Sequence, residues 1–156
     1  MDKAQVFDAL REKLQQELNT AVGASRDAAE YATNEEARAE SKYDTQGLEA
    51  SYLAAGQATM ANSLADAIAT LGSVQEEMIV PRDRVMRGAL FECDLGGFRE
   101  WFYLSPVGGG ETLDFDGEEI SIVTAKSPLG AAVAGKTAGA AFKLANGTEG
   151  SVLKVL

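Results

Sequence analysis

Two parts of this 156-residue chain bring together residue types that could do chemistry. Gly130 to Thr137 fits G-x-x-x-x-G-K-[ST], the spacing of a loop whose backbone amides cradle phosphates while its lysine reaches the outer ones. The other part is a run of acids without counter-charges. No basic residue lies between Lys42 and Arg82, while Asp44, Glu49, Asp66, Glu76 and Glu77 all fall in that interval. Composition removes several other chemistries. The chain has no histidine, so His-based acid–base catalysis, Ser-His or Cys-His nucleophile pairs and His-ligated metals are excluded. Its one cysteine, Cys93, can make neither an internal disulfide nor a Cys-cluster zinc site, and reads as a small apolar strand residue. A net charge of −10 argues against direct binding to a DNA or RNA backbone, which needs Lys and Arg to displace counterions. An acidic protein that works near nucleic acid works more naturally through a basic protein partner.

The elements that must position these residues change character near Gly72 to Pro81. The first half has scattered glycine, no proline, and much Ala, Glu, Gln and Leu, which are good helix formers. The second half holds all three prolines, most of the glycine and most of the aromatic and β-branched residues, a strand-and-turn composition. Phe7, Leu10, Leu14 and Leu18 fall on one helical face, and the stripe continues with small residues as Ala21, Ser25, Ala28 and Ala32. A second stripe starts small and ends large through Leu53, Met60, Leu64, Ile68 and Leu71. Folding back near residue 41 sets Leu14 against Ile68, Leu18 against Leu64, Val22 against Met60 and Ala28 against Leu53. The expectation is an antiparallel helical hairpin (coiled coil) over residues 1–75, thick at its base and thin at a tip near 40–46. At about 1.5 Å per residue, arms of roughly 30 residues reach about 45 Å. Asp44, followed by Thr45, Gln46 and Gly47, suits the N-cap of the second helix.

Residues 80–156 read as a small antiparallel sheet domain with one short helix, so the fold class is α+β. Strands are expected over 84–93, 98–104, 118–124, 142–145 and 150–155. Turns are expected at Asp94-Leu95-Gly96-Gly97 and at Asn146-Gly147. Phe98, Trp101, Phe102 and Tyr103 lie along one strand, so at least two of them belong to the core. Ser127-Pro128 opens the short helix and Gly135 stops it. That helix signal contradicts the phosphate loop, because it falls inside the segment that must be loop and ends where the phosphate-binding helix must begin. The amino terminus has no apolar signal region and no run is long enough to span a membrane, so the expected location is cytoplasmic.

The order of parts, together with Ser127-Pro128-Leu129-Gly130-x-Ala132-x-x-Gly135-Lys136, resembles the Gre superfamily of bacterial transcription elongation factors. Tyr52-Leu53-Ala54-Ala55-Gly56-Gln57 is similar to the Tyr-x-Ala-Ala stretch of that family's second hairpin helix. The resemblance implies an FKBP-like C-terminal domain that docks on RNA polymerase and a hairpin that enters its secondary channel. It makes Ser127, Pro128, Gly130 and Lys136, with Tyr43 at the tip, candidate partner contacts. Ser127, Pro128 and Gly130 also have a purely local reading as residues that shape the fold. The resemblance further implies that tip acids help hold a magnesium ion in the polymerase active site, where backtracked RNA is cleaved. Such two-metal chemistry can use a carboxylate from a partner. Cleavage-competent relatives carry an aspartate and a glutamate three residues apart. Here Asp44 matches the first and is the candidate magnesium ligand, but Gly47 stands three residues on, leaving Glu49 or Glu40 as the second acid. As a local reading, Asp44 is a helix cap and Glu40 and Glu49 are solvated helix residues.

The function expected is therefore an elongation-factor homologue that modulates or stimulates cleavage of backtracked RNA. Such a protein is not itself an enzyme and binds no cofactor alone, the polymerase supplying magnesium. It meets nascent RNA only through the polymerase, with no direct DNA binding and no membrane. The other reading is a non-catalytic regulator or interaction module: a channel occupant without cleavage stimulation, or an acidic hairpin for another basic partner. An FKBP-like fold does not by itself bring proline isomerisation, and the few aromatics here poorly supply the pocket it needs.

Overall fold

With no proline before Pro81, nothing removes an amide donor from the helical ladder of the first half. In the computed structural model, which describes residues 1–38 and 46–156, that half forms α1 (Lys3–Arg38) and α2 (Gln46–Ile79). There follow β1 (Leu90–Leu95), β2 (Phe98–Leu104), β3 (Thr112–Phe115), β4 (Glu118–Val123), α3 (Pro128–Val133), β5 (Ala141–Lys143) and β6 (Glu149–Val155). The chain is an N-terminal helical hairpin followed by a mostly antiparallel sheet with one short helix, the α+β fold expected. It divides into two compact units, Met1–Arg11 with Thr70–Leu156, and Glu12–Ala69.

In the unit Glu12–Ala69, Leu14, Ala21, Ala28 and Ala32 of α1 are buried, as are Gly47, Ala50 and Ala61 of α2. Ser25 Oγ donates across the hairpin to the Ala54 carbonyl at 3.1 Å. The thinning from leucine to alanine is as expected, but the detailed pairing is not. Val22, Leu53 and Met60, expected in the seam, are 40%, 57% and 53% exposed. On α2 the shielded line runs through Gly47, Ala50, Ala54, Gln57, Ala61 and Leu64, the alternating steps of three and four of a heptad seam. At about 100° per residue, Leu53 and Met60 stand off that line. A seam of alanine and glycine lets helices approach closely, which leaves no room for larger side chains between them.

The six strands form one sheet in the order β3-β4-β2-β1-β6-β5. Two features correct the expectation of a simple antiparallel sheet. β2 and β4 pair in parallel, and β3 is an additional strand. A parallel pair needs a long connection; here β3 is its return limb, pairing antiparallel with β4. Asp116 and Gly117 make the tight turn between them, both with positive φ (55° and 81°), the geometry in which Asp-Gly is favoured. The first expected strand also shortens: β1 begins at Leu90, and Arg84 makes only an isolated bridge to Thr137.

One sheet face carries Phe91, Cys93, Phe102, Leu104, Phe142 and Val152, packed with Leu129 and Val133 of α3. The rings of Phe91 and Phe102 stack with centroids 5.6 Å apart. Burial pushes the Cys93 thiol pKa up to about 12, with the charges of Glu92 and Glu100 adding to it. Tyr103, in the same strand as Phe102, points to the other face and is fully buried, whereas Phe98 is 72% exposed. The Tyr103 hydroxyl donates to the Met78 carbonyl at 2.9 Å.

That bond is one of three that solve a problem set by α2. The last carbonyls of any helix lack intrahelical donors. Arg82 Nη2 donates to Glu77 O at 2.9 Å, Tyr103 to Met78 O, and Lys3 Nζ to Val80 O. Lys3 also donates to Gly88 O and to the backbone oxygen of Leu156, both at 2.8 Å. One ammonium thus spends its three protons on α2's exit, the segment before β1 and the residue after β6. Gly88 makes this approach possible: a Cβ there would lie 2.8 Å from Glu77 O and 2.9 Å from Met78 Cα, and its φ is +81°.

Lys3 is only 8% exposed. Burial, helped by the charge of Arg82, lowers its pKa from 10.5 to about 8. Lys3→Met removes the ammonium donor of Val80 O and Gly88 O and leaves Leu156 O with only the long bond from Leu90 N at 3.3 Å, at about 1–3 kcal/mol for each oxygen left dry and unpaired. It is expected to reduce the unfolding free energy by about 3 kcal/mol or more in urea denaturation; a loss below about 1 kcal/mol would contradict this tie. Because the folded value lies below the unfolded one, the unfolded chain holds more protons on Lys3 between pH 8 and 10.5. Stability from this group therefore rises with pH through that window, and the advantage of wild type over Lys3→Met is expected to widen there.

Candidate functional site

Of the residues expected at the hairpin tip, Glu40, Tyr43 and Asp44 lie outside the described residues. Glu49 is described: it is exposed, in the first turn of α2, where a carboxylate is favoured by the positive end of the helix dipole. Gly47, the residue three beyond Asp44, is buried. An acid at that position would be carried into the hairpin seam, where an unpaired carboxylate is costly. Two residues further on, Glu49 lies about 200° around the helix axis from Gly47, on the outward side. A single carboxylate there suits Mg²⁺ only as one ligand among waters, phosphate oxygens and carboxylates from elsewhere. Among the described residues no group of three His, Cys, Asp or Glu side chains is placed to hold a metal ion.

The second candidate region is the run from Ser127 to Lys136. Ser127 caps α3: its Oγ accepts from Gly130 N at 3.0 Å and donates to Thr124 O at 2.8 Å. Pro128 occupies the first turn, where its missing amide costs nothing. Gly130 is buried, and a Cβ on it would lie 2.0 Å from Thr124 O. Only glycine lets α3 sit this close to the end of β4. Beyond the helix, Gly135 has φ +74°, the left-handed residue that stops it. Its amide donates to Val85 O, and Val85 N donates back to Lys136 O, both at 2.8 Å. The run therefore pins the segment before β1. Pro128 is exposed at the helix start, while the Ser127 and Lys136 side chains are partly exposed on either side of α3.

This geometry overturns the phosphate-loop reading. Gly130 to Val133 are helix, not loop. The amides a phosphate would need are engaged: Gly130 N by Ser127 Oγ, Ala131 N by Ser127 O, Gly135 N by Val85 O and Lys136 N by Val133 O. At these four amides the match in spacing offers a phosphate no free donor.

Gly130→Ala forces α3 off Thr124 and is expected to cost more than about 3 kcal/mol, as overpacking against backbone does at its worst. Ser127→Ala, which loses a cap, is expected to cost about 1–2 kcal/mol. Urea denaturation of both variants checks this order; a Gly130→Ala variant as stable as wild type would contradict the packing described.

No protein-family model matches the chain, and no curated protein matches it. Solved structures similar to it include the "GreA factor homolog 1 (Gfh1) protein of Thermus thermophilus", at 19% identity over 95% of both chains with a TM-score of 0.36. Gfh1 of Thermus aquaticus is similar at 19% identity over 95% of this chain and 94% of that one, with a TM-score of 0.36. A further structure, of the transcription factor Gfh1, is similar at 18% identity over 94% of this chain and 93% of that one, with a TM-score of 0.38.

Proposed function

We propose that this protein is a Gre-like transcription factor that binds bacterial RNA polymerase and places the acidic end of its hairpin in the secondary channel. The observation that carries the reading is the charge of α2. From Gln46 to Ile79 it bears Glu49, Asp66, Glu76 and Glu77 and no basic residue. A helix so charged suits a cavity lined with cations, and its field speeds and orients entry there. The capped run from Ser127 to Lys136 supports the same reading, because it matches the family pattern and is built into the fold. On this reading the sheet domain docks through the surface around Pro128 and Lys136. The polymerase supplies magnesium and performs any chemistry, and RNA is met only inside it.

Within this role, the buried Gly47 favours regulation over cleavage. The second tip acid has no place three residues beyond Asp44, and Glu49 is turned outward. The protein then acts by occupying the channel and modulating elongation, with little stimulation of RNA cleavage. Binding to core RNA polymerase is expected to weaken as salt rises, since surface charges are screened, and Glu49→Arg is expected to weaken it by about fivefold. With a stalled, backtracked complex and magnesium, the wild-type protein is expected to slow nucleotide addition while leaving RNA cleavage near the level of polymerase alone. Absence of binding at low salt would end the proposal. Strong cleavage that Asp44→Ala abolishes would replace regulation with cleavage.

A further inference from the structure

From Ala50 to Ala65, α2 carries no charged residue. One side of this stretch closes the hairpin seam through Ala50 and Ala61. Away from the seam the stretch exposes Tyr52, Leu53 and Met60 at 71%, 57% and 53%, with Leu48 just before it at 52%. Successive turns of about 100° per residue place Leu48, Tyr52 and Gly56 opposite the seam, with Leu53 and Met60 flanking it; Met60 borders a groove shared with Lys13, Gln16, Glu17 and Thr20 of α1. The outer face of a hairpin surrounded by water is ordinarily its charged face. Here it is uncharged, with Thr59 and Ser63 set among large exposed apolar side chains, and exposed apolar side chains grouped in this way mark an interaction surface.

Gly56 adds an independent observation. Glycine is among the worst residues for a helix interior, and a Cβ at position 56 would meet nothing within 4 Å. The hairpin's own packing therefore does not require it. Gly23 and Gly72 are open in the same way, but only Gly56 lies within the uncharged outward face. A missing side chain at the centre of an exposed apolar face admits a neighbour's backbone or side chain close to the helix.

We infer that this outward face of α2 is a docking surface for a protein partner that presents an apolar ledge with lysine or arginine at its margin. The inference rests on the function proposed above and makes the polymerase channel wall that partner. Charge selects the occupant. Glu49 lies at one end of the face and α2 has no basic residue to repel a cationic margin. A second copy of this chain, at −10, is opposed by like charge, and a nucleic-acid strand still more so. The apolar centre supplies the burial and the acid supplies the orientation.

Two variants test this with full-length protein and core RNA polymerase. Met60→Glu puts a charge on the exposed face, where the fold tolerates it, and is expected to weaken binding at least tenfold with the melting temperature unchanged. Gly56→Ala is expected to raise the melting temperature by about 2–4 °C while weakening binding, a pair of opposite effects that a merely structural role would not produce. Wild type that binds polymerase while both variants bind equally well would overturn the docking face and leave the proposed function standing. Wild type that does not bind would overturn both. A concentration-dependent dimer of wild type alone that Met60→Glu dissolves would overturn it in favour of self-association.

Discussion

Much of this structure depends on where one ammonium group finds its acceptors. The three protons of Lys3 go to backbone oxygens of Val80, Gly88 and Leu156, residues far apart in sequence. The first turn of α1, the exit of α2, the approach to β1 and the end of β6 meet at that point. Burial of a lysine is unfavourable unless its donors are satisfied, so the tie is strong only when all three segments are in place. Tyr103 and Arg82 serve neighbouring carbonyls at the same helix end. The last turn of α2, where polar groups would otherwise be stranded, becomes instead the meeting point of helix and sheet. Gly88 completes it by leaving space where any side chain would strike α2.

The hairpin itself follows a different constraint. Its distal seam is made of Ala21, Ala28, Ala32, Gly47, Ala50 and Ala61, residues that bury little surface each but allow close approach. Such a seam leaves the larger apolar residues of α2 outside. Leu53 and Met60 are therefore consequences of the same choice that made the seam small. The acids of α2 are likewise outward, while the position three residues beyond Asp44 is claimed by the seam and holds Gly47. Proposed function and proposed docking surface both derive from which residues the seam admits and which it expels.

The broad architecture was legible in the sequence because its signals are local. Proline-free helix formers, the apolar stripe from Phe7 to Leu18, the Ser127-Pro128 start and Gly135 stop, and the Asn146-Gly147 turn all act within a few residues of themselves. The register of the hairpin was not legible. Stripes of period 3.5 can be slid past one another, and the exposed Leu53 and Met60 look like seam residues until the closer fit of alanines is seen. β3 could have been found, since Asp116-Gly117 is a hairpin dipeptide flanked by Leu113, Phe115, Ile120 and Ile122; the parallel pairing of β2 with β4 is a non-local consequence of it. Lys3 carried no signal, because nothing in its neighbourhood predicts carbonyls arriving from residues 80, 88 and 156. For the candidate site, spacing misled at Gly130 to Thr137, where only the hydrogen-bond partners of the amides separate a cap from a phosphate loop.

The central claim is that the acidic end of the hairpin lies inside the polymerase near its active centre. An iron chelate attached to Glu49→Cys tests it most directly, because Cys93 is buried with its thiol raised to about 12 and leaves the introduced cysteine as the reactive one. Hydroxyl radicals generated in the complex with polymerase are predicted to cut the segments that line the active centre and secondary channel. Cuts confined to the outer surface of the polymerase would contradict the account.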